Sequence, residues 1–376
     1  MLSIGTPQIK LLEKLCNAMS VSGDEGEVRR IVMEEVKAYA DEVKVDALGS
    51  VLVRKRAERH SRLRAVQVSR NAGTKPLRVL LDAHMDEVGF MIVHDDGEGF
   101  FQFECIGGID PRHLVGKQVI VGKEHIPGVI GAKPIHLTAV EELQHIIEVN
   151  AMRIDLGPEG KANVGDRATF ATKFRRVGPS IMSKAIDDRI GVAMLIELLK
   201  HVPTNIELCL AFSVQEEIGL RGAKVAAHYF EPDLAIAVDS TPARDLPDYE
   251  GKENFTYNAR LGFGPAIYMA NSSTMDDPRL VRFLTETAEK EKIQYQFRQP
   301  GGGGTNAGAI QQSRAGVPVV SVSVPHRYTH SPISISRVDD WKNTLNLLHA
   351  ALKRLSLESR SLLLDRTASR STPEKR

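Results

Sequence analysis

Neither charge is in excess in this sequence: 49 Lys and Arg face 48 Asp and Glu, a net of +1. That balance implies neither nucleic acid nor an anionic membrane surface as a partner. Cysteine is scarce. Cys16, Cys105 and Cys209 lie far apart and form no Cys-x-x-Cys pair. Cys16 and Cys209 sit in apolar stretches, the common setting of a buried free thiol. An odd number of cysteines suits a reducing compartment. The sequence also lacks a long apolar span, and Met1-Leu2-Ser3-Ile4 lacks the charged start of an export signal. The expected location is therefore the cytoplasm. Finally, the glycine-rich piece Pro300–Asn306 is not followed by Gly-Lys-[Ser/Thr], so it is not a phosphate loop.

What is present is a chain long enough for two domains. Ile9, Leu12 and Leu15 repeat at helical spacing within Thr6–Met19. Ser22 and Glu25 have the spacing of a capping box for a second helix running to about Ala40. Val43–Val53 alternates as a strand pair broken at Gly49. The basic run 54–78 carries no interleaved aromatics and reads as a solvated loop rather than a nucleic-acid patch. From Val88 to about Thr172, short alternating runs separated by Gly and Pro predict a small β-rich barrel or sandwich. Only Thr138–His145 looks helical there. Beyond Ser183, helices alternate with strands, which predicts an α/β fold with a mostly parallel sheet flanked by helices. The expected organisation is a discontinuous α/β domain, 1–89 and 182–357, interrupted by a β-rich insert at 90–181 and followed by a loose tail, 358–376.

Five separate hydrophobic runs end in residues that bind divalent metals. They are Leu81-Asp82-Ala83-His84-Met85-Asp86, Ala185-Ile186-Asp187-Asp188-Arg189, Ser213-Val214-Gln215-Glu216-Glu217, Ile236-Ala237-Val238-Asp239-Ser240 and Arg327-Tyr328-Thr329-His330-Ser331. Two histidines and several carboxylates suit a pair of Zn²⁺- or Co²⁺-like ions. In open α/β sheets such residues gather at the carboxyl ends of strands. Each residue has a plainer reading in isolation. His84 fits a core histidine, Asp187 a helix cap, Glu216 and Glu217 a solvated strand end, Asp239 a turn former and His330 a loop histidine. Their joint order is what carries the metal reading.

The same residues resemble the M42 family of metallo-aminopeptidases, some members of which carry an endoglucanase label. The resemblance includes Ser22-Gly23-Asp24-Glu25, Ala83–Phe90, Pro127–Gly131, Asp187-Asp188-Arg189, Gln215–Gly219 and Arg327–Pro332. It implies a zinc-peptidase-like fold and an enzyme that removes N-terminal residues from peptides. It implies two divalent ions per subunit, zinc or cobalt with manganese as a further option. Asp187 would bridge them, His84 and Asp239 completing one and Glu217 and His330 the other. Glu216 would be the general base, and Asp86 would orient His84. The resemblance also implies dimers through the insert that build a twelve-subunit particle. Asn306 stands where the family has Asp, which removes a charge near the site and leaves substrate preference open. A glycosidase is the alternative enzyme, and an inactive scaffold the alternative without chemistry. Against a glycosidase stand the adjacency of Glu216 and Glu217 and the two histidines it leaves unexplained.

Overall fold

The computed structural model describes residues 1–57, 76–247, 259–300 and 302–355. Most of the basic run 54–78 and all of the tail 358–376 lie outside the described residues. Two sheets organise the rest. The main sheet begins with β1 (Glu42–Val45), β2 (Val51–Lys55) and β3 (Leu77–His84). The chain then leaves it for β4 (Gly89–Gly97), β5 (Phe100–Ile106), β6 (Gln118–Val121), β7 (Ile126–Gly131), β8 (Arg153–Asp155) and β9 (Arg167–Phe170), which close into a barrel. It returns through β10 (Arg175–Val177), β11 (Ser180–Ser183), β12 (Ile206–Ser213), β13 (Leu234–Pro242), β14 (Ala266–Tyr268), β15 (Gln296–Arg298), β16 (Val319–Arg327) and β17 (Ser334–Arg337).

The main sheet is mixed, which corrects the expectation of a mostly parallel one. Its centre, β12-β3-β13-β16, is parallel. Strands β2 on one side and β14 and β17 on the other pair antiparallel with that centre. The alternation of helix and strand in sequence reveals the parallel centre but is silent on hairpins added at the edges. The central strands are buried on both faces. Val79 and Leu81 of β3 face a large core, whereas Leu80 between them faces a smaller one with Cys209, Ala211 and Ala235. The large core is closed by α1 (Thr6–Asn17), α2 (Gly26–Val36), α3 (Ile186–Leu199), α5 (Pro278–Glu291) and α7 (Val338–Arg354). The smaller one is closed by α4 (Arg221–Phe230) and α6 (Ala307–Gln311). Small residues such as Ala223, Ala226 and Ala227 let α4 approach the sheet closely.

The barrel has its own core. Phe90 meets Phe103 and Phe170 edge to face, with ring centroids 5.2 and 5.3 Å apart, a favoured aromatic geometry. The helix expected at Thr138–His145 is absent. Short 3₁₀ turns at Ile135–Leu137 and Glu142–Gln144 stand there instead. Ile135, Val140 and Leu143 are exposed, so an amphipathic helix would have no apolar surface of its own chain to pack on. The Ser22–Glu25 capping box does not form either. Helix α2 starts at Gly26 without a side-chain cap, because both side chains are used at the site. Among the described residues no helix is long and apolar enough to cross a membrane.

Candidate metal centre

Register delivers the first ligands. Ser213 pairs with His84 across β12 and β3, and Ala237 pairs with Asp82 across β3 and β13. Asp239, two residues on, is therefore level with His84 at the carboxyl ends of the parallel strands. His84 is almost fully buried, and its Nε2 lies 3.1 Å from Asp187 Oδ1 and 3.8 Å from Asp239 Oδ1. On the other side, His330 Nε2 lies 3.1 Å from Glu217 Oε2 and 3.7 Å from Asp187 Oδ2. The two oxygens of Asp187 thus face different histidines.

The helix start explains how Asp187 is free to do this. Asp187 and Asp188 have non-helical backbone angles at the beginning of α3. Asp188 Oδ1 accepts from the Gly191 amide at 3.1 Å, so Asp188 does the capping. The reading of Asp187 as a helix cap is not what the geometry holds. Asp188 had no assigned role in the sequence reading, yet it is fully buried and its donor atoms gather with those of His84 and Asp239. Its Oδ2 has no hydrogen-bond partner among the described residues.

Asp86 does more than orient His84. Its Oδ1 is 3.4 Å from His84 Nδ1. Its two oxygens also accept from the amides of Glu216 and Glu217, at 3.0 and 3.2 Å. The Ser22 hydroxyl donates to Oδ2 at 2.6 Å, and Glu25 Oε1 accepts from the Gln215 amide at 3.2 Å. One buried carboxylate therefore fixes both a histidine and the turn that carries two glutamates. That turn lies beyond β12, with Gln215 at φ +56°, so Glu216 and Glu217 do not diverge as successive strand residues. Turn geometry separates them.

Behind the site lies an ion cluster that no spacing announces. Lys184 Nζ sits 2.8 Å from each Glu87 oxygen and 2.8 Å from the Ala18 carbonyl. Arg189 reaches Glu87 at 3.2 Å and the carbonyls of Met85 and Leu15 at 3.0 Å. The cluster ties the segment carrying His84 and Asp86 to the segment carrying Asp187. All its charges are buried, and paired charges are what such burial requires.

The site concentrates negative charge. Burial, together with the charge of neighbouring acids, holds the carboxyl groups of Glu216, Glu217, Asp188 and Asp239 above the usual range. For Asp187 burial acts in the same direction, but the bond from His84 and the charges of His84, His326 and His330 bring it below the usual range. Burial would lower His330, yet the Glu217 bond and the charges of Glu217 and Asp187 raise it to about 9. Acids that oppose one another's ionisation while facing two imidazoles form a donor set that fits divalent cations.

His84, Asp187, Glu216, Glu217, Asp239 and His330 line a cavity of about 560 Å³ whose lining also includes Pro242, Tyr268, Ser273, Arg298, Gly303 and Gly304. Gly304 is required there: a Cβ would lie 2.6 Å from Ser273 Oγ. A cavity of the same size at the opposite ends of β13 and β16, lined by Pro232, Asp233, Arg279 and Pro318, contains no histidine. Asn306 does not line the site cavity. It is buried beneath it, donating to Asp82 Oδ1 at 2.5 Å and to Ser213 Oγ at 2.9 Å. An aspartate here would set two buried carboxylates against each other, so Asn306 answers Asp82 rather than the substrate.

A family profile described as M42 glutamyl aminopeptidase matches residues 65–347. The lysyl aminopeptidase of Pyrococcus furiosus is 31% identical over 360 residues, 92% of this chain and 97% of that protein. Among solved structures, aminopeptidase APDkam598 from the archaeon Desulfurococcus kamchatkensis superposes with a TM-score of 0.85 at 30% identity, covering 98% of this chain and 99% of that one. The TET1 peptidase of Pyrococcus horikoshii, described as able to assemble into a tetrahedron or a large octahedral shell, superposes with a TM-score of 0.78 at 32% identity over 93% of this chain and 100% of its own.

Proposed function

The chain belongs to the M42 aminopeptidase family, and from that premise we propose that it removes N-terminal residues from peptides with two divalent ions held on either side of Asp187. The family makes it a metal-dependent aminopeptidase. The number and placement of the ions are our reading. The observation that carries it is the division of the Asp187 carboxylate, Oδ1 toward His84 and Oδ2 toward His330. His84, Asp187 and Asp239 would hold one ion, and Glu217, Asp187 and His330 the other. Zinc or cobalt suits this mixture of imidazole and carboxylate, and manganese is a further option.

Bound there, divalent ions would polarise the scissile carbonyl and lower the pKa of bound water toward neutrality. Glu216 lines the cavity beside Glu217. Burial and the neighbouring acids raise its pKa, which suits a base that accepts a proton near neutral pH and passes it to the leaving amine. Asp86 keeps His84 and the Glu216–Glu217 turn in one frame. Gly303 and Gly304 let a peptide backbone approach the cavity lining. The glycosidase reading leaves His84 and His330, which face the acids of the cavity, without a role.

We further assign the organisation as an α/β catalytic domain interrupted by the barrel as a distinct insert that carries subunit contacts; the insert expected at 90–181 ends earlier, because β10 (Arg175–Val177) and β11 (Ser180–Ser183) already pair within the main sheet. Assembly of the TET1 relative into closed shells supports a homo-oligomer, a dimer building to a dodecamer. Free cysteines at 16, 105 and 209 agree with a reducing cytoplasm. The deciding experiment combines elemental analysis with hydrolysis of aminoacyl p-nitroanilides under added Co²⁺, Zn²⁺ and Mn²⁺, before and after chelation. Two ions per chain and chelator-sensitive release of the N-terminal residue are expected. Full activity in chelator, or a single ion at saturation, would overturn the mechanism.

A further inference from the structure

The two histidines of the centre are held in different ways. His84 is supported by Asp86 from its own segment. His330 lies in a loop with left-handed backbone at Tyr328 (φ +65°) and at His330 itself (φ +55°), and about a third of its side chain is exposed. Apart from the facing acids, its ring has one hydrogen-bond partner among the described residues. That partner is the Gly108 carbonyl, 2.8 Å from Nδ1. Gly108 belongs to the turn that leaves β5, so it comes from the barrel.

We propose that the Gly107–Gly108 turn of the barrel is a positioning element for the Glu217–His330 half of the metal centre. The proposal rests on the two-ion reading above. A carbonyl oxygen only accepts, so the contact places the proton of neutral His330 on Nδ1 and leaves the Nε2 lone pair directed at Glu217 and Asp187. The turn also packs on the other ligand of that ion. A Cβ on Gly107 would lie 3.4 Å from Glu217 Cβ and 2.8 Å from Val88 Cγ1, at a φ of +83° that L-residues rarely adopt. One two-residue turn therefore lies against both residues that only this ion would use.

The turn is held in place from the barrel's base. Thr169 of β9 donates to Glu87 Oε2 at 2.9 Å, and Arg167 donates to the Ser22 carbonyl at 3.3 Å. Gly89 closes the joint, since a Cβ there would lie 2.5 Å from Val21 Cγ2. The barrel is consequently part of the metal centre, and affinity for the second ion depends on where the barrel sits.

The test titrates the metal-free full-length protein with Co²⁺, followed by calorimetry and by the visible absorption of the bound ion, which reports its coordination. Saturation of the parent at two ions is the check on the two-ion reading, and saturation at one would overturn that reading before any variant is compared. Gly107→Ala is expected to weaken one binding event by about 10–100-fold, the range for loss of an orienting partner, and to leave the other within about twofold. Gly97→Ala is the control. It imposes a similar left-handed strain (φ +86°) in the same barrel but meets nothing within 4 Å, so both events are expected to stay as in the parent. Equal weakening of both events in Gly107→Ala, or no change in either, overturns the proposal. A measurement without a variant stands beside it: ¹⁵N spectra of the zinc-loaded protein are expected to show His330 protonated at Nδ1. A proton on Nε2 overturns the assignment whatever the variants do.

Discussion

At the scale of single residues, the proposed mechanism divides the roles between groups that hold ions and a group that moves a proton. Glu216→Gln keeps the shape and the Asp86-bound amide but removes the basic oxygen. Its expected outcome is an unchanged metal content with activity lower by about 10²–10⁴-fold, the usual contribution of general-base catalysis. Near-normal turnover would refute the role. His330 makes a pH prediction. In the metal-free protein the Glu217 bond and the charges of Glu217 and Asp187 raise its pKa to about 9, above the ordinary imidazole value of about 6.5. A raised folded pKa means stability that is fully present below about pH 6.5 and fades as pH rises through 9. An ion needs the same nitrogen unprotonated, so metal affinity should run the opposite way, strengthening from pH 6 toward pH 9. Parallel melting curves with and without Zn²⁺ across that range check both signs. Asn306→Asp belongs here too. The new carboxyl would face Asp82, whose own pKa burial already raises to about 7. The expected cost is about 1–3 kcal/mol at pH 7, the range for a buried polar group without its bond. It should shrink as pH falls and the pair takes up a proton, and denaturant melts at pH 5.5 and 7.5 measure it.

At the scale of elements, the start of α3 is the decisive piece, because the proposed mechanism has one carboxylate there serve both ions. Asp187→Ala should leave fewer than one ion per chain. His330→Ala or Asp239→Ala should leave about one, and activity should be lost in all three. Metal stoichiometry after gel filtration separates this from the helix-cap reading. That reading predicts full metal content and a stability loss of about 0.5–2 kcal/mol. The structure already assigns the cap to Asp188 through its bond to Gly191. Two ions retained by Asp187→Ala would remove the bridge and the mechanism with it.

For the whole molecule, the question is what covers the barrel's apolar surface. Ile135, Leu137, Val140 and Ile146 are all more than half exposed, beyond the scattered single exposures of an ordinary surface. This agrees with subunit contacts through the insert. Sedimentation of the intact protein at micromolar concentration should show an oligomer, and a monomer would rule the assembly out.

Much of this was legible in the sequence for physical reasons. A parallel centre buried on both faces must be written as continuous apolar runs, and ligands at strand ends must follow those runs. Among the residues at the ends of those runs, the family resemblance is what singled out His84, Asp187, Glu217, Asp239 and His330 as the expected ligands. Alternation with a two-residue period likewise announced the β-rich insert. What sequence could not decide depends on neighbours brought together from far away. Ser22 and Glu25 have capping-box spacing, but other partners took each: the Ser22 hydroxyl donates to Asp86, and Glu25 accepts from the Gly23 and Gln215 amides. Thr138–His145 had helical texture but no surface to bury against. Antiparallel edge strands leave no mark on the alternation that predicts a parallel centre. Asn306 looked like a missing charge beside the substrate, and only its contact with Asp82, 224 positions away in the chain, shows what it balances. Local pattern and the family resemblance nominated the residues proposed to carry the chemistry. The tertiary structure decided which of their atoms face one another, because hydrogen bonds and buried charges are settled by distance in space rather than by spacing along the chain.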